Sequence, residues 1–250
     1  MTKKTYLTGV VIFCIVGIVV FYVVNIRFVT DFRINRLIKN TFINLFYAII
    51  IIVLVINNNK RTIKFYRIRG YSFLILPFLV AIINFPFSAL IRGNAIITNY
   101  VFIPVLIINC FLIGLTEEFL FRIIINGFIK ERFLYKIGYV EYILFSSGVF
   151  ALFHILNIIG GAGVISTLIQ VAYTFLLGSM FTIVYEKTYN IWVCIIIHAF
   201  FDFGGQIIPY LGFGVFQDLT FWILTTIIGI CTFIQMIIYI YKKDKLYKQY

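Results

Sequence analysis

The chain has 250 residues, of which 62% are hydrophobic, 19% aromatic and only 12% charged. Soluble globular chains are about 45–50% apolar and about 25% charged, so this is an integral membrane protein, with room for about eight spanning helices and no separate soluble domain. The net charge of +12 does not point to nucleic acid, because the basic residues gather in short connections between apolar runs and form no basic face interleaved with exposed aromatics.

The opening, MTKKTYLTGVVIFCIVGIVVFYVV, has a basic start like a signal peptide. Its apolar run is too long for one and no small-residue cleavage site follows, so it reads as a retained first span over about 6–26. The next stretch, NIRFVTDFRINRLIKN (25–40), reads as an interfacial amphipathic helix. Further spans follow at about 40–57, 71–91, 96–128, 139–157, 163–185, 190–209 and 219–241. These runs lack the alternation of membrane-barrel strands. The expectation is one all-α polytopic membrane domain over residues 1–250, its helices enclosing an intramembrane polar cavity, with a motif-bearing core at about 96–210. The run 96–128 is too long for one straight span, and GLT at 114–116 is where it should break or thin. Pro77, Pro86, Pro104 and Pro209 are expected to kink spans. IIGGAGV, 158–164, reads as a tight turn. Asn109, Gln170 and Gln206 line the cavity or bond between helices. Cys14, Cys110, Cys194 and Cys231 each stand alone in an apolar run, without CxxC spacing, and read as buried free thiols.

Orientation follows from the distribution of Lys and Arg. With an even number of spans, Lys3, Lys4, Lys60, Arg61, Lys64, Arg67, Arg69, Lys130, Arg132, Lys136, Lys187, Lys242, Lys243, Lys245 and Lys248 share one side. Arg27, Arg33, Arg36, Lys39 and Arg92 lie on the other. Both termini are therefore expected to be cytoplasmic.

Inside the spans the ionisable residues are few: Glu117, Glu118 and Arg122 in the fourth, His154 in the fifth, His198 and Asp202 in the seventh. Charged groups in hydrocarbon are costly and usually functional. At about 1.5 Å per helical residue, Glu117 lies roughly 20 Å from the edge at Lys130, and His154 roughly 20 Å from Glu141. His198 and Asp202 lie roughly 12 and 18 Å beyond Asn190. Three spans thus bring polar groups to similar depth. Glu118 and Arg122, four apart, share a helical face and can pair, leaving Glu117 to face elsewhere. His198 and Asp202 are also four apart, so Asp202 can hold one ring nitrogen and fix its tautomer. Phe150, one turn before His154, could wall the site. An architectural set of ion pairs is the competing reading.

A carboxylate beside a histidine in a semi-dry cavity activates water as a nucleophile, and a second histidine with a polar neighbour can stabilise an oxyanion. No GxSxG is present, and Ser146, Ser147 and Ser179 stand in unmarked contexts. Water activation needs no cofactor, although Glu117, His154 and His198 are also the candidates for holding a divalent metal such as zinc; HExxH is absent.

EEFLFR (117–122), FALFH (150–154) and HAFFD (198–202) are EExxxR, FxxxH and HxxxD motifs. In order and spacing they resemble the CAAX-protease and bacteriocin-processing family of intramembrane proteases, also called the Abi family. The resemblance spans about 96–210 and implies an eight-helix layout. It implies that Glu117 is the general base, working with His154 on the attacking water, that His198 and position 202 form an oxyanion pocket, and that Glu118 and Arg122 support them. The family's third motif often has Asn where this chain has Asp202. An ionised Asp cannot donate to an oxyanion, so Asp202 either acts protonated or orients His198.

The expected function is an intramembrane endopeptidase that hydrolyses a hydrophobic or membrane-associated peptide or protein, such as a bacteriocin or a signalling-peptide precursor. The alternative is a non-catalytic membrane scaffold or bacteriocin-immunity protein of the same fold. A proton-coupled transporter is a further rival, disfavoured because no inverted repeat is visible and the polar residues cluster rather than form a path across the membrane. The expected partners are membrane lipid and a peptide or protein substrate in or at the membrane, with no nucleic acid and an oligomeric state left open. The expected location is the bacterial cytoplasmic membrane.

Overall fold

The computed structural model describes residues 12, 14–20, 26–58, 71–159 and 161–247. Most of the expected first span, and the basic residues at 3–4, 60–69 and 248, lie outside the described residues. Helix α1 (Phe32–Asn58) starts behind Asp31, whose Oδ1 accepts from the amides of Arg33 (2.8 Å) and Ile34 (3.2 Å). The stretch expected as an interfacial helix is therefore largely the first turns of a spanning helix. Helix α2 (Tyr71–Ile83) stops before Asn84–Phe85–Pro86, and a short α3 (Phe87–Ile91) follows. The expected span 71–91 is thus cut by Pro86, because the residue before a proline is pushed out of helical geometry.

Strand β1 (Ala95–Ile97) pairs antiparallel with β2 (Gly212–Gly214), with Ile96 opposite Phe213. Nothing in the apolar periodicity announces this small ribbon. A Cβ on Gly212 would lie 2.3 Å from the Ile96 carbonyl oxygen, and Gly214 has φ +113. Only glycine fits at both positions.

After one turn of 3₁₀ helix, Tyr100–Phe102, come α4 (Ile103–Glu118), a π-helix over Phe119–Ile125, and α5 (Asn126–Phe153), which is broken at Gly138 (φ 79). A one-turn α6 (Leu156–Ile159) leads through a tight turn, Gly161 having φ 89, into α7 (Val164–Thr188). Then follow α8 (Ile191–Leu211), capped by the Asn190 side chain on the amide of Trp192, and α9 (Leu219–Tyr247). Among the described residues six stretches are long and apolar enough to cross a membrane: Phe32–Ile56, Tyr100–Glu131, Gly138–Ile159, Val164–Thr188, Ile191–Leu211 and Leu219–Lys245. The chain is an all-α polytopic membrane protein.

Helix α8 lies against α4 and α2, α5 runs along α7, and α1 backs α4. Asn109 on α4 accepts a hydrogen bond from Asn44 on α1 (3.0 Å), so it joins helices. Gln170 on α7 accepts from Asn157 in α6 (2.9 Å). Cys14, Cys110 and Cys194 are buried free thiols, whereas Cys231 on α9 is exposed. Most of α9 turns its apolar side chains outward, as a lipid-facing helix does.

Candidate active site

The expected break at GLT does not occur. Helix α4 runs through Gly114 unbroken, and the departure from α geometry begins after Glu118. Gly114 has a packing role, since a Cβ there would lie 3.0 Å from the Ile195 carbonyl oxygen and 3.4 Å from Cβ of His198. Its bare Cα lets α4 approach α8 at the level of His198, and this close approach assembles the site.

Glu118 and Arg122 pair as the spacing predicts: Arg122 Nε donates to Glu118 Oε2 at 2.9 Å, with both side chains fully buried. The other oxygen, Glu118 Oε1, lies 2.9 Å from His198 Nδ1 and accepts its proton. The expected orienter of His198 was Asp202, but in the structure Glu118 takes that position. Asp202 Oδ2 instead lies 3.8 Å from the second ring nitrogen, Nε2. Glu117 Oε2 lies 3.8 Å from the same Nε2 and, though buried, has no hydrogen-bond partner among the described residues. Both separations are too long for direct hydrogen bonds and wide enough for a water oxygen to bridge. Glu117 and Asp202 keep about a fifth of their side-chain surface exposed (21% and 18%), whereas Glu118 keeps none. The two carboxylates nearest Nε2 therefore face the accessible side of the site, and Glu118 sits behind it.

His154 lies at the C-terminal end of α5, where its Nδ1 donates to the Phe150 carbonyl oxygen at 3.0 Å, leaving Nε2 as the free ring nitrogen. Among the described residues its side chain makes no hydrogen bond or ion pair with the other five candidates. Phe150 joins it to them: its ring centroid lies 5.2 Å from that of His154 and 6.2 Å from that of His198. Phe181 on α7 stacks on the His198 ring, with centroids 5.0 Å apart and planes at 15°. The imidazole is thus held edge-on by Glu118 and face-on by Phe181. The Arg122 guanidinium lies over the Phe150 ring, 4.8 Å from its centroid.

Glu117, His154 and His198 are not gathered as metal ligands. Among the described residues no group of three His, Cys, Asp or Glu side chains is placed to hold an ion.

Sequence reasoning missed a set of polar residues behind Arg122. Arg122 Nη1 donates to Thr182 Oγ1 at 2.8 Å, and Ser146 Oγ lies 3.0 Å from Thr182 Oγ1 and 2.6 Å from Asn126 Oδ1. The available signal was four-residue spacing, with Asn126 four after Arg122 and Ser146 four before Phe150. At single positions, however, Ser and Thr are ordinary in membrane helices.

The family model described as Type II CAAX prenyl endopeptidase Rce1-like matches residues 99–204. No curated protein and no solved structure matches the chain. The matched segment holds all three motifs and all six candidate residues, so residues 99–204 match the Rce1-like family and bear out the resemblance to the CAAX-protease and bacteriocin-processing family of intramembrane proteases.

Proposed function

We propose that the protein is an intramembrane endopeptidase that hydrolyses a peptide bond in a hydrophobic or membrane-associated peptide, with water activated by Glu117. The observation that carries this reading is the buried Glu117 Oε2, which has no hydrogen-bond partner among the described residues and stands 3.8 Å from His198 Nε2, with Asp202 Oδ2 at the same distance from that nitrogen. An unpartnered carboxylate oxygen in a buried site is costly, and a water bound there is well placed to lose a proton to it. The resulting hydroxide adds to the scissile carbonyl carbon. Oxyanion stabilisation falls to a protonated His198 Nε2, and Glu117 then returns its proton to the leaving amine. His154 assists through its free Nε2, as the family resemblance implies.

The substrate class favoured is a leader-bearing bacteriocin or signalling peptide of a bacterial cytoplasmic membrane. A non-catalytic immunity role is the outcome if cleavage proves absent. The test compares peptides by mass spectrometry from membranes and medium of cells carrying wild-type, Glu117→Gln or His154→Ala protein. A processed peptide should vanish in both variants, with protein levels unchanged. Identical peptides together with an intact cellular phenotype would overturn the protease reading. Water activation needs no metal, so exhaustive chelation should leave cleavage intact. Loss on chelation with recovery on adding zinc would replace this mechanism with a metal-dependent one.

A further inference from the structure

Four buried polar side chains form one hydrogen-bonded chain, His198, Glu118, Arg122 and Thr182, and behind it sit buried Ser146 and Asn126, with Ser146 Oγ donating to Asn126 Oδ1 and lying 3.0 Å from Thr182 Oγ1. Their exposures run from 0% to 6%. The motifs account for the first three. Thr182 stands on α7, which carries no motif residue, and is fully buried. Its hydroxyl proton goes to the Gly178 carbonyl oxygen at 2.8 Å, so the oxygen is committed to accepting from Arg122. Arg122 needs that acceptor. It is 1% exposed, and its other terminal nitrogen, Nη2, already lacks a partner among the described residues.

We propose that Thr182 is a positioning residue for the hydrolysis: it fixes the Arg122 guanidinium, which fixes the Glu118 carboxylate, which fixes the orientation and tautomer of His198. The inference rests on the protease reading for its consequence, but its physical content is independent of turnover. Without the hydroxyl, neither terminal nitrogen of Arg122 has an acceptor among the described residues, and the cheapest relief is a swing of the guanidinium that loosens Glu118. Outer partners that orient metal-ligating histidines cost about 10–100-fold when removed, and a loss at the low end of that range is expected for a histidine oriented without a metal.

The chain contains only two histidines, so full-length protein labelled with [¹⁵N]histidine gives two imidazole rings, and His154→Gln identifies which is which. Thr182→Val should move the His198 ring-nitrogen signals and lower kcat about tenfold, with KM little changed. Thr182→Ser should restore both. Ser179→Ala serves as the control, because it removes another bond between α5 and α7, from Ser179 Oγ to Ser147 Oγ at 2.8 Å, without touching Arg122; it should move neither readout. His198 signals unmoved in a folded Thr182→Val protein would overturn the proposal. If hydroxyl-free variants do not accumulate, [¹⁵N]arginine labelling of the unaltered protein decides. Arg122, the only arginine deep within a span among the described residues, should then show a slowly exchanging Nη proton, and rapid exchange of every arginine would overturn the proposal. If no peptide is ever cleaved while His198 still responds to Thr182, the protease reading falls and the positioning stands. Normal cleavage with an unresponsive His198 has the reverse meaning.

Discussion

Glu118 accepts from two partners at once, Arg122 Nε and His198 Nδ1, each at 2.9 Å. Burial of that carboxylate is tolerable only because both oxygens are satisfied. Breaking one partner from a buried pair typically costs about 3–5 kcal/mol, since it leaves an uncompensated charge. Arg122→Met should therefore lower the unfolding midpoint of the detergent-solubilised protein substantially, and adding Glu118→Gln should recover much of the loss. A double variant less stable than the single one would mean that packing, not charge, dominates. Glu117 should behave differently. Its Oε2 has no hydrogen-bond partner to lose among the described residues and only a long 3.8 Å contact with His198 Nε2, so Glu117→Gln should leave the unfolding midpoint near wild type while cutting cleavage by about 10²–10⁴-fold, the range of general base catalysis. Helical spacing revealed the Glu118–Arg122 pair, because i and i+4 lie on one face of one helix. The Glu118–His198 contact joins residues eighty positions apart on two helices. No local pattern encodes it, so spacing assigned His198 to its neighbour Asp202 instead.

The π-helix over 119–125 and the break at Asn84–Pro86 shape the site at the scale of elements. Single-turn π segments recur at functional sites because the wider turn re-aims side chains. Here the π segment follows directly on the two glutamates, and Arg122 within it still reaches back to Glu118. Hydropathy marked the run as overlong but could not place the irregularity, since Gly114, the residue most suggestive of a break, is spent on packing against α8. Likewise, the length of the apolar run concealed the cut at Pro86. That break lies on α8 beside the site: Asn84 Nδ2 donates to the Phe201 carbonyl oxygen at 2.6 Å, one residue before Asp202. A Cβ on Gly204 would stand 2.7 Å from both Asn84 C and Phe85 N, which are backbone atoms that cannot swing away. A Cβ on Gly205 would meet only the Asn84 side-chain nitrogen, at 3.0 Å. Gly204→Ala should thus cost about 1–3 kcal/mol of stability by overpacking and reduce cleavage by displacing Asp202, while Gly205→Ala should cost less on both counts. Equal effects would show that the α2–α3 break does not fix the register of α8.

At the scale of the whole molecule, the described charged residues outside the site gather at the two ends of the bundle. At one end Lys130 pairs with Glu186, which also accepts from the Tyr142 hydroxyl at 3.2 Å, and Lys187 lies over the Tyr239 ring, 5.8 Å from its centroid. At the other, Arg33 lies over the Phe213 ring at 4.0 Å and donates to the Gly212 carbonyl oxygen, fastening the start of α1 to β2. Arg92 lies 3.9 Å from Asp218. Arg33 and Arg92, two of the five basic residues that the sequence puts on the less basic side, thus have a structural use at that end; the topology expected from the sequence puts both termini on the cytoplasmic side. Reporter fusions after Lys64 and after Tyr250 should report the same, cytoplasmic side; opposite sides would refute this topology. Asp218 gives the far end its pH dependence. The Ser88 hydroxyl, at 2.6 Å from Oδ2, is the foremost cause holding the Asp218 carboxyl below the usual carboxylate range, followed by the Phe221 amide at 2.9 Å from Oδ1, with the Arg92 charge adding to them. Stability from this group is complete above the ordinary carboxylate pKa of about 3.9 and is lost as pH falls through the lower folded value. Unfolding midpoints of the solubilised protein should therefore fall between about pH 5 and about pH 2, and Asp218→Asn should flatten part of that fall while lowering the midpoint at neutral pH. An unaltered acid limb in that variant would assign the acid sensitivity to other carboxylates, and the tie between α3 and α9 would then not depend on charge.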